Sequence, residues 1–459
     1  MHLSPRAYAF SGWLPASLLG LAGTVVLVAY GTPLSQVAIY AAYVAFGIAV
    51  PGMLWVRLLR GGARHIAEDL TIGLVAGYAI EIATYLPARA VGAPSLVLVW
   101  PAVTLVAFAV LPALRRYWRG DGARAPAWWS WSLAAMLAYL LAYSAGTFFT
   151  QHHLTGTDTP YVDMPFHLAL IGELRHHLPP ATPYVTGLPL AYHWFFYAEA
   201  AAASWATGID PVTLLYRLSG LPIFIAFVTL TAVAARRLTG RWWPGPVAVA
   251  VALFGTVAGP YGWSTSPVFD TETLGVSWTS PTNLFGLALF AAVIVVLLDV
   301  LGTDRPVRRR HWLLLGLLIL AMAGAKASLA PLLIGGLVVV VVGGAIAGRR
   351  LGPERPGGSR PVRDRPDPGR DPALPRDDRR PGHRPGFAPR PSGRRASRCP
   401  GGPWAIGGHP AHRRVAGGPG AVVVPVGRRV RAVRPRQGQR STIRGSCSCS
   451  GSAPAPSAP

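Results

Sequence analysis

The stretch TNLFGLALFAAVIVVLLDVL, residues 282–301, decides how this chain is read. Seventeen uncharged and mostly apolar residues precede Asp299, and arginines follow at 305, 308, 309 and 310. A run of that length matches the roughly 20 residues that carry a helix across a bilayer, and arginine at its end marks a membrane boundary. Working outward, comparable runs lie near 14–30, 36–56, 69–88, 95–114, 128–148, 212–235, 243–260, 311–325 and 329–347. They are too continuously apolar for barrel strands, whose residues alternate between lipid and lumen. In hydrocarbon each backbone N–H and C=O has to be paired within the element, so helices follow. The expected fold is all-α: a polytopic transmembrane helix bundle of about ten spans, with a large extracytoplasmic loop and a disordered basic C-terminal tail.

The arginines set the expected orientation. They cluster at Arg57/Arg60/Arg64, Arg115/Arg116/Arg119/Arg124, Arg236/Arg237/Arg241, Arg305/Arg308/Arg309/Arg310 and Arg349/Arg350, all on one side if the spans alternate. With Arg6 that side holds 17 cationic residues, against Arg89, Arg175, Arg217 and Lys326 on or near the other. Positive-inside asymmetry places the N-terminus in the cytoplasm of a multi-pass cell-membrane protein. Residues 192–207 would break this alternation if they crossed. They are therefore expected along the outer interface, where the run Tyr192-His193-Trp194-Phe195-Phe196-Tyr197 would settle at headgroup level.

Composition divides the chain at about residue 349. The first 348 residues hold 19 basic and 13 acidic residues, a net of +6, whereas the remainder holds 24 and 6, a net of +18. All three cysteines, Cys399, Cys447 and Cys449, fall in that remainder, so neither a disulfide framework nor a cysteine zinc site organises the membrane part. The tail is rich in Arg, Pro, Gly and Ser, has no persistent period and reads as disordered. Its abrupt onset admits two readings: a shifted reading frame in a GC-rich gene, or a basic tail that touches anionic lipid or nucleic acid. The expected organisation is four spans in 1–127, a second membrane region in 128–348 with outer loops 149–211 and 261–281, and the tail 349–459.

Chemistry is expected in the first outer loop, where residues 149–191 gather acids and histidines between spans nearly free of acids. A helix is predicted there, capped by Asp163, tolerating Pro165 in its first turn, burying Phe166, Leu170, Ile171 and Leu174, and ended by Pro179-Pro180. A carboxylate at the outer membrane face suits activation of an acceptor hydroxyl that attacks a lipid-linked sugar phosphate. The departing phosphate needs a cation or oriented donors because charge collects on it. Asp163 is the first candidate for that base and Asp158 the second, the alternatives being a plain helix cap and an Asx-turn. Lys326, the single lysine, stands in Gly324-Ala-Lys326-Ala-Ser328, either to hold a lipid phosphate or to snorkel from a helix end. Arg217 and Arg175 are further phosphate candidates. His167, Glu173, His193 and Trp194 complete the expected substrate-binding set. The histidines show no compact zinc spacing, so no cofactor is expected beyond a divalent cation that would bridge a sugar phosphate and an aspartate. Glu81 should face other helices, Asp299 should sit beside arginines, and Tyr261, Trp263 and Trp278 are candidates for sugar stacking or membrane-belt anchoring.

Three stretches carry a family resemblance: Asp163-Met-Pro-Phe-His167-Leu-Ala-Leu-Ile171 with Glu173, Gly187-Leu-Pro-Leu-Ala-Tyr-His193-Trp-Phe, and Gly324-Ala-Lys-Ala-Ser328. Over residues 128–347 the chain resembles the multi-spanning GT-C class of glycosyltransferases, which use polyprenyl-phosphate sugars, as found among actinobacterial membrane proteins. The resemblance implies a catalytic carboxylate in the first large outer loop, carried onto Asp163 with Asp158 as substitute. It also implies a polyprenyl-phosphate sugar and membrane lipid as partners, with no specific nucleic acid. Five spans precede the loop, so the first four helices read as an added module. The tail stands where the family carries further spans and an outer domain, which implies an incomplete chain. The competing readings are a lipid or glycan transporter, with Glu81 and Lys326 along its path, and a noncatalytic membrane scaffold.

Overall fold

The computed structural model describes residues 5–120, 125–155, 160–255, 272–302 and 309–347. Asp158, Tyr261, Trp263 and the tail from 348 onward lie outside the described residues. Among the described residues the architecture is helical, with one isolated bridge between Ala181 and Pro189. The principal helices are α1 (Pro5–Ala29), α2 (Leu34–Arg60), α3 (Ile66–Ala90), α4 (Val99–Val110), α5 (Ala127–Phe149), α6 (Met164–His176), α7 (Phe195–Thr207), α8 (Pro211–Thr239), α9 (Pro244–Phe254), α10 (Pro281–Leu301), α11 (Arg309–Ala325) and α12 (Leu329–Ile346).

Among the described residues seven helices are long and apolar enough to cross a membrane: α2, α3, α5, α8, α10, α12 and, from Gly12, α1. An eighth is obtained if the segment 94–118, bent by 96° where Val110 gives way to Pro112, counts as one span. About ten were expected. The difference lies in α9 and α11, of 11 and 17 residues, which at 1.5 Å per residue reach about 16 and 25 Å against a hydrocarbon core of about 30 Å. The outer helices carry the lipid signature on their surfaces. α12 is only 11% buried, and Leu332, Ile334, Val338, Val339 and Ile346 stand exposed along it. An apolar patch of that extent has no place in water and belongs against lipid.

Helix α3 is the hub, packing against α2, α7, α8, α10 and α11. Its contact with α2 is a backbone approach made through glycine. A Cβ on Gly52 would lie 2.0 Å from the Gly73 carbonyl oxygen, and one on Gly77 would lie 2.4 Å from that of Ile48. Small residues of this kind replace the hydrophobic drive that helices lack inside a bilayer.

One end of the bundle is locked by a buried ion network. Arg57 Nε donates to Asp69 at 2.8 Å, Arg60 reaches Glu68 at 2.5 Å and Asp299 at 2.6 Å, and Arg237 holds Glu68 at 2.8 Å and Asp299 at 2.6 Å. Arg57 also donates to the Tyr117 carbonyl, and Arg310 to that of Leu58. Arginines from three of the expected clusters, Arg57, Arg60 and Arg64, Arg237, and Arg310, thus share one end of the molecule with Tyr117, which lies within a fourth. Asp299 sits beside arginines, as its position in the sequence predicts. Glu68 and Asp69 were not anticipated in this role.

The aromatic run 192–197 departs from expectation. It was placed along the lipid interface, yet α7 is an interior helix in which every residue from Phe196 to Ser204 is buried. Its row of alanines supplies the reason: five of the six residues from Ala198 to Ala203 are alanine, so this part of α7 fits between α3, α6, α10 and α11. Trp278 is likewise interior. It donates to Ser144 Oγ at 2.7 Å and stacks on Phe148, so it serves neither a membrane belt nor a sugar platform.

Candidate functional site

At the end opposite the ion network, α6, α7, the start of α10 and the α11–α12 turn converge. Leu170, Ile171 and Leu174, each fully buried, dock α6 on α7, as the apolar spacing predicts. The helix ends at His176, before the two prolines.

Asp163 occupies the N-cap position of α6, but its side chain makes no capping hydrogen bond. Its backbone is already helical at φ −88°, ψ −13°, whereas a capping side chain needs the extended conformation to turn back on the N–H of the first turn. The expected cap is therefore absent. The carboxylate is left exposed, with no hydrogen bond or ion pair to another described residue.

One turn on, buried His167 has both ring nitrogens engaged. Nε2 lies 3.1 Å from the Thr279 carbonyl, and Nδ1 lies 2.7 Å from the Tyr197 hydroxyl. A carbonyl only accepts, so Nε2 carries the proton; in a neutral ring Nδ1 then accepts from Tyr197 O–H. Burial lowers the His167 pKa, helped by the Lys326 charge and opposed by Asp163 and the Thr279 carbonyl. Tyr197 is held above its ordinary pKa, mainly by burial and then by Tyr192, and stays a donor. His167 thus ties α6 to α7 and to the segment before α10.

His193 reaches Thr282 Oγ1 at 3.1 Å, with the Tyr192 ring stacked 3.9 Å from its own. Burial, Lys326 and His167 lower its pKa to about 4, so it is neutral at physiological pH. Lys326 is half-buried and forms no ion pair among the described residues. Its stem lies against Gly286, where a Cβ would come within 2.7 Å of Lys326 Cβ. Gly324 is needed similarly, because any side chain there would meet the Phe195 ring at 2.4 Å.

The structure therefore brings Asp163, His167, His193 and Lys326 into one electrostatic neighbourhood and leaves other candidates apart. Glu173, at the far end of α6, accepts from Ala181 N at 3.1 Å and pairs with His177 at 3.0 Å, which folds the loop back on the helix. Arg217 is fully buried. It donates to the carbonyls of His152 at 2.6 Å and Tyr216 at 2.9 Å and lies over Phe149, so its guanidinium pins the chain. Arg175 stacks on Trp205. Trp194 precedes α7 and meets Phe195 edge-on. His152 stacks on Phe148 and is bonded at both nitrogens. Among the described residues no three His, Cys, Asp or Glu side chains form a metal-binding group. Tyr192, Tyr197 and Thr282, which sequence reasoning did not assign to the site, belong to it. The pairing of Tyr197 with His167 crosses 30 residues and leaves no local pattern.

No protein-family model, curated protein or solved structure matches this chain.

Proposed function

We propose that the chain is a membrane glycosyltransferase of the GT-C kind, moving a sugar from a polyprenyl phosphate to an extracytoplasmic acceptor with inversion. The observation that carries the reading is that an exposed carboxylate with no partner among the described residues, Asp163, and the half-buried cation Lys326 both act on His167, at the end of the bundle away from the arginine network. In this reading Asp163 removes the acceptor hydroxyl proton as the oxygen attacks the anomeric carbon. The bond from that carbon to the phosphate oxygen breaks, and the lipid phosphate leaves with the electron pair. Lys326 takes up the charge that accumulates on it. His167 and Tyr197 position the start of α6 and so the base, while neutral His193 and Tyr192 offer an aromatic face to the sugar.

The test is transfer from radiolabelled polyprenyl-phosphate sugar in membranes that hold wild type, Asp163→Asn or Lys326→Met. Loss of transfer in Asp163→Asn at undiminished protein level supports the assignment; equal transfer refutes it. A transporter reading draws on buried Glu81, and membranes that move the lipid without cleaving it would favour that reading instead.

A further inference from the structure

We propose that Glu81, Glu199, Tyr40, Tyr78 and Ser219 form an oxygen-only binding site for a small monovalent metal cation inside the bundle. The five side chains come from α2, α3, α7 and α8, and all are between 0% and 5% exposed. Both carboxylate oxygens of Glu81 and both of Glu199 lack a hydrogen-bond partner, and the hydroxyls of Tyr40, Tyr78 and Ser219 have none outside this group. These atoms are neighbours. The charge acting on Glu81 is that of Glu199, Tyr40 feels both carboxylates and adjoins Ser219 and Tyr78, and Tyr78 feels Glu199. No arginine, lysine or histidine is among the described groups acting on these four titratable side chains.

Hydroxyls and carboxylates at such close quarters satisfy one another when they serve only structure, because an unpaired buried polar atom is costly. Here the four carboxylate oxygens stay unpartnered next to three hydroxyls that have no partner outside the group, which suits a guest that these oxygens can coordinate. Oxygen-only donors select a hard cation over a transition metal. Two adjacent buried carboxylates cannot both ionise without a counter-charge, and a single monovalent cation taken up in exchange for one proton would leave the site neutral. Helix α7 links this site to the outer one, since Tyr197, two residues before Glu199, donates to His167. The cation site does not depend on the proposed transferase activity.

The experiment uses the full chain in detergent, with unfolding temperature recorded in choline chloride and in rising NaCl or KCl at constant ionic strength, and retention of radioactive sodium measured in parallel. A saturable rise of about 2 °C or more in one alkali cation over choline, with saturable retention, is expected for wild type. Glu81→Gln and Glu199→Gln should lose both, and Tyr78→Phe, which removes one oxygen at nearly constant volume, should weaken half-saturation several-fold. Asp210→Asn, on an exposed N-cap, should behave as wild type. Coincident choline, sodium and potassium traces in wild type overturn the proposal, even if lowering pH alone stabilises the protein, since protons then satisfy the pair. An undiminished sodium shift in folded Glu81→Gln overturns it as well.

Discussion

Asp163 is exposed while its neighbour Met164 is fully buried, so the carboxylate can be altered without disturbing the packing that places it. Asp163→Asn should therefore change the free energy of unfolding by no more than the roughly 0.5 kcal/mol typical of surface substitutions while abolishing sugar transfer. Coupled loss of fold and activity would instead make Asp163 structural. His193 yields a pH prediction. Its folded-state pKa of about 4 lies below the ordinary value of 6.5. On acidification the unfolded chain takes up this proton first, so stability falls as pH drops from about 6.5 toward 4 and levels off below. The profile of His193→Gln should be flatter through that window, as measured by thermal unfolding at stepped pH. Identical slopes in the two proteins would show that the ring titrates normally.

At the scale of elements, the α2–α3 contact and the ion network act differently. The glycine contact admits no side chain, so Gly52→Val must separate two helices and should cost about 2 kcal/mol or more, whereas Gly62→Ala, in open space, should be near neutral. In the network Asp299 serves Arg60 and Arg237 together, and its side chain is only 4% exposed. Asp299→Asn leaves two guanidiniums short of their counter-charge and should destabilise by about 3–5 kcal/mol, read from thermal unfolding in detergent. A loss below 1 kcal/mol would mean that water reaches the cluster. The network also shows how far local reading extends. The arginine clusters could be assigned to one side from spacing alone, but Glu68 and Asp69 as their partners depend on how α3 begins beside the end of α2. The length of α9 was misjudged because hydropathy continues past Phe254 after the regular helix stops.

For the whole molecule, the two ends differ in kind: one is closed by arginine and carboxylate pairs, the other holds Asp163, His167, His193 and Lys326. If the arginine end is cytoplasmic, as its charge predicts, a cysteine at Tyr184 should react with an impermeant maleimide on intact cells. One at Leu238 should react only after permeabilisation, in a background lacking Cys399, Cys447 and Cys449. Both positions are well exposed, so accessibility reports side rather than burial. The reverse pattern would invert the topology and with it the extracytoplasmic reading of the site.

Membrane insertion, the helical class and the gathering of arginines at one end were determined by the sequence alone, because hydropathy and charge act locally and sum along each segment. As candidates, Lys326 stood out as the single lysine beside apolar spans and Asp163 as an acid in the loop that gathers acids and histidines. Only the tertiary structure decided that α7 is interior rather than interfacial, that His167 is held by Tyr197 and Thr279, and that Glu81 faces Glu199. These are contacts between helices far apart in the chain, and within a bilayer they depend on the fit of small residues and paired polar atoms, which no single segment encodes.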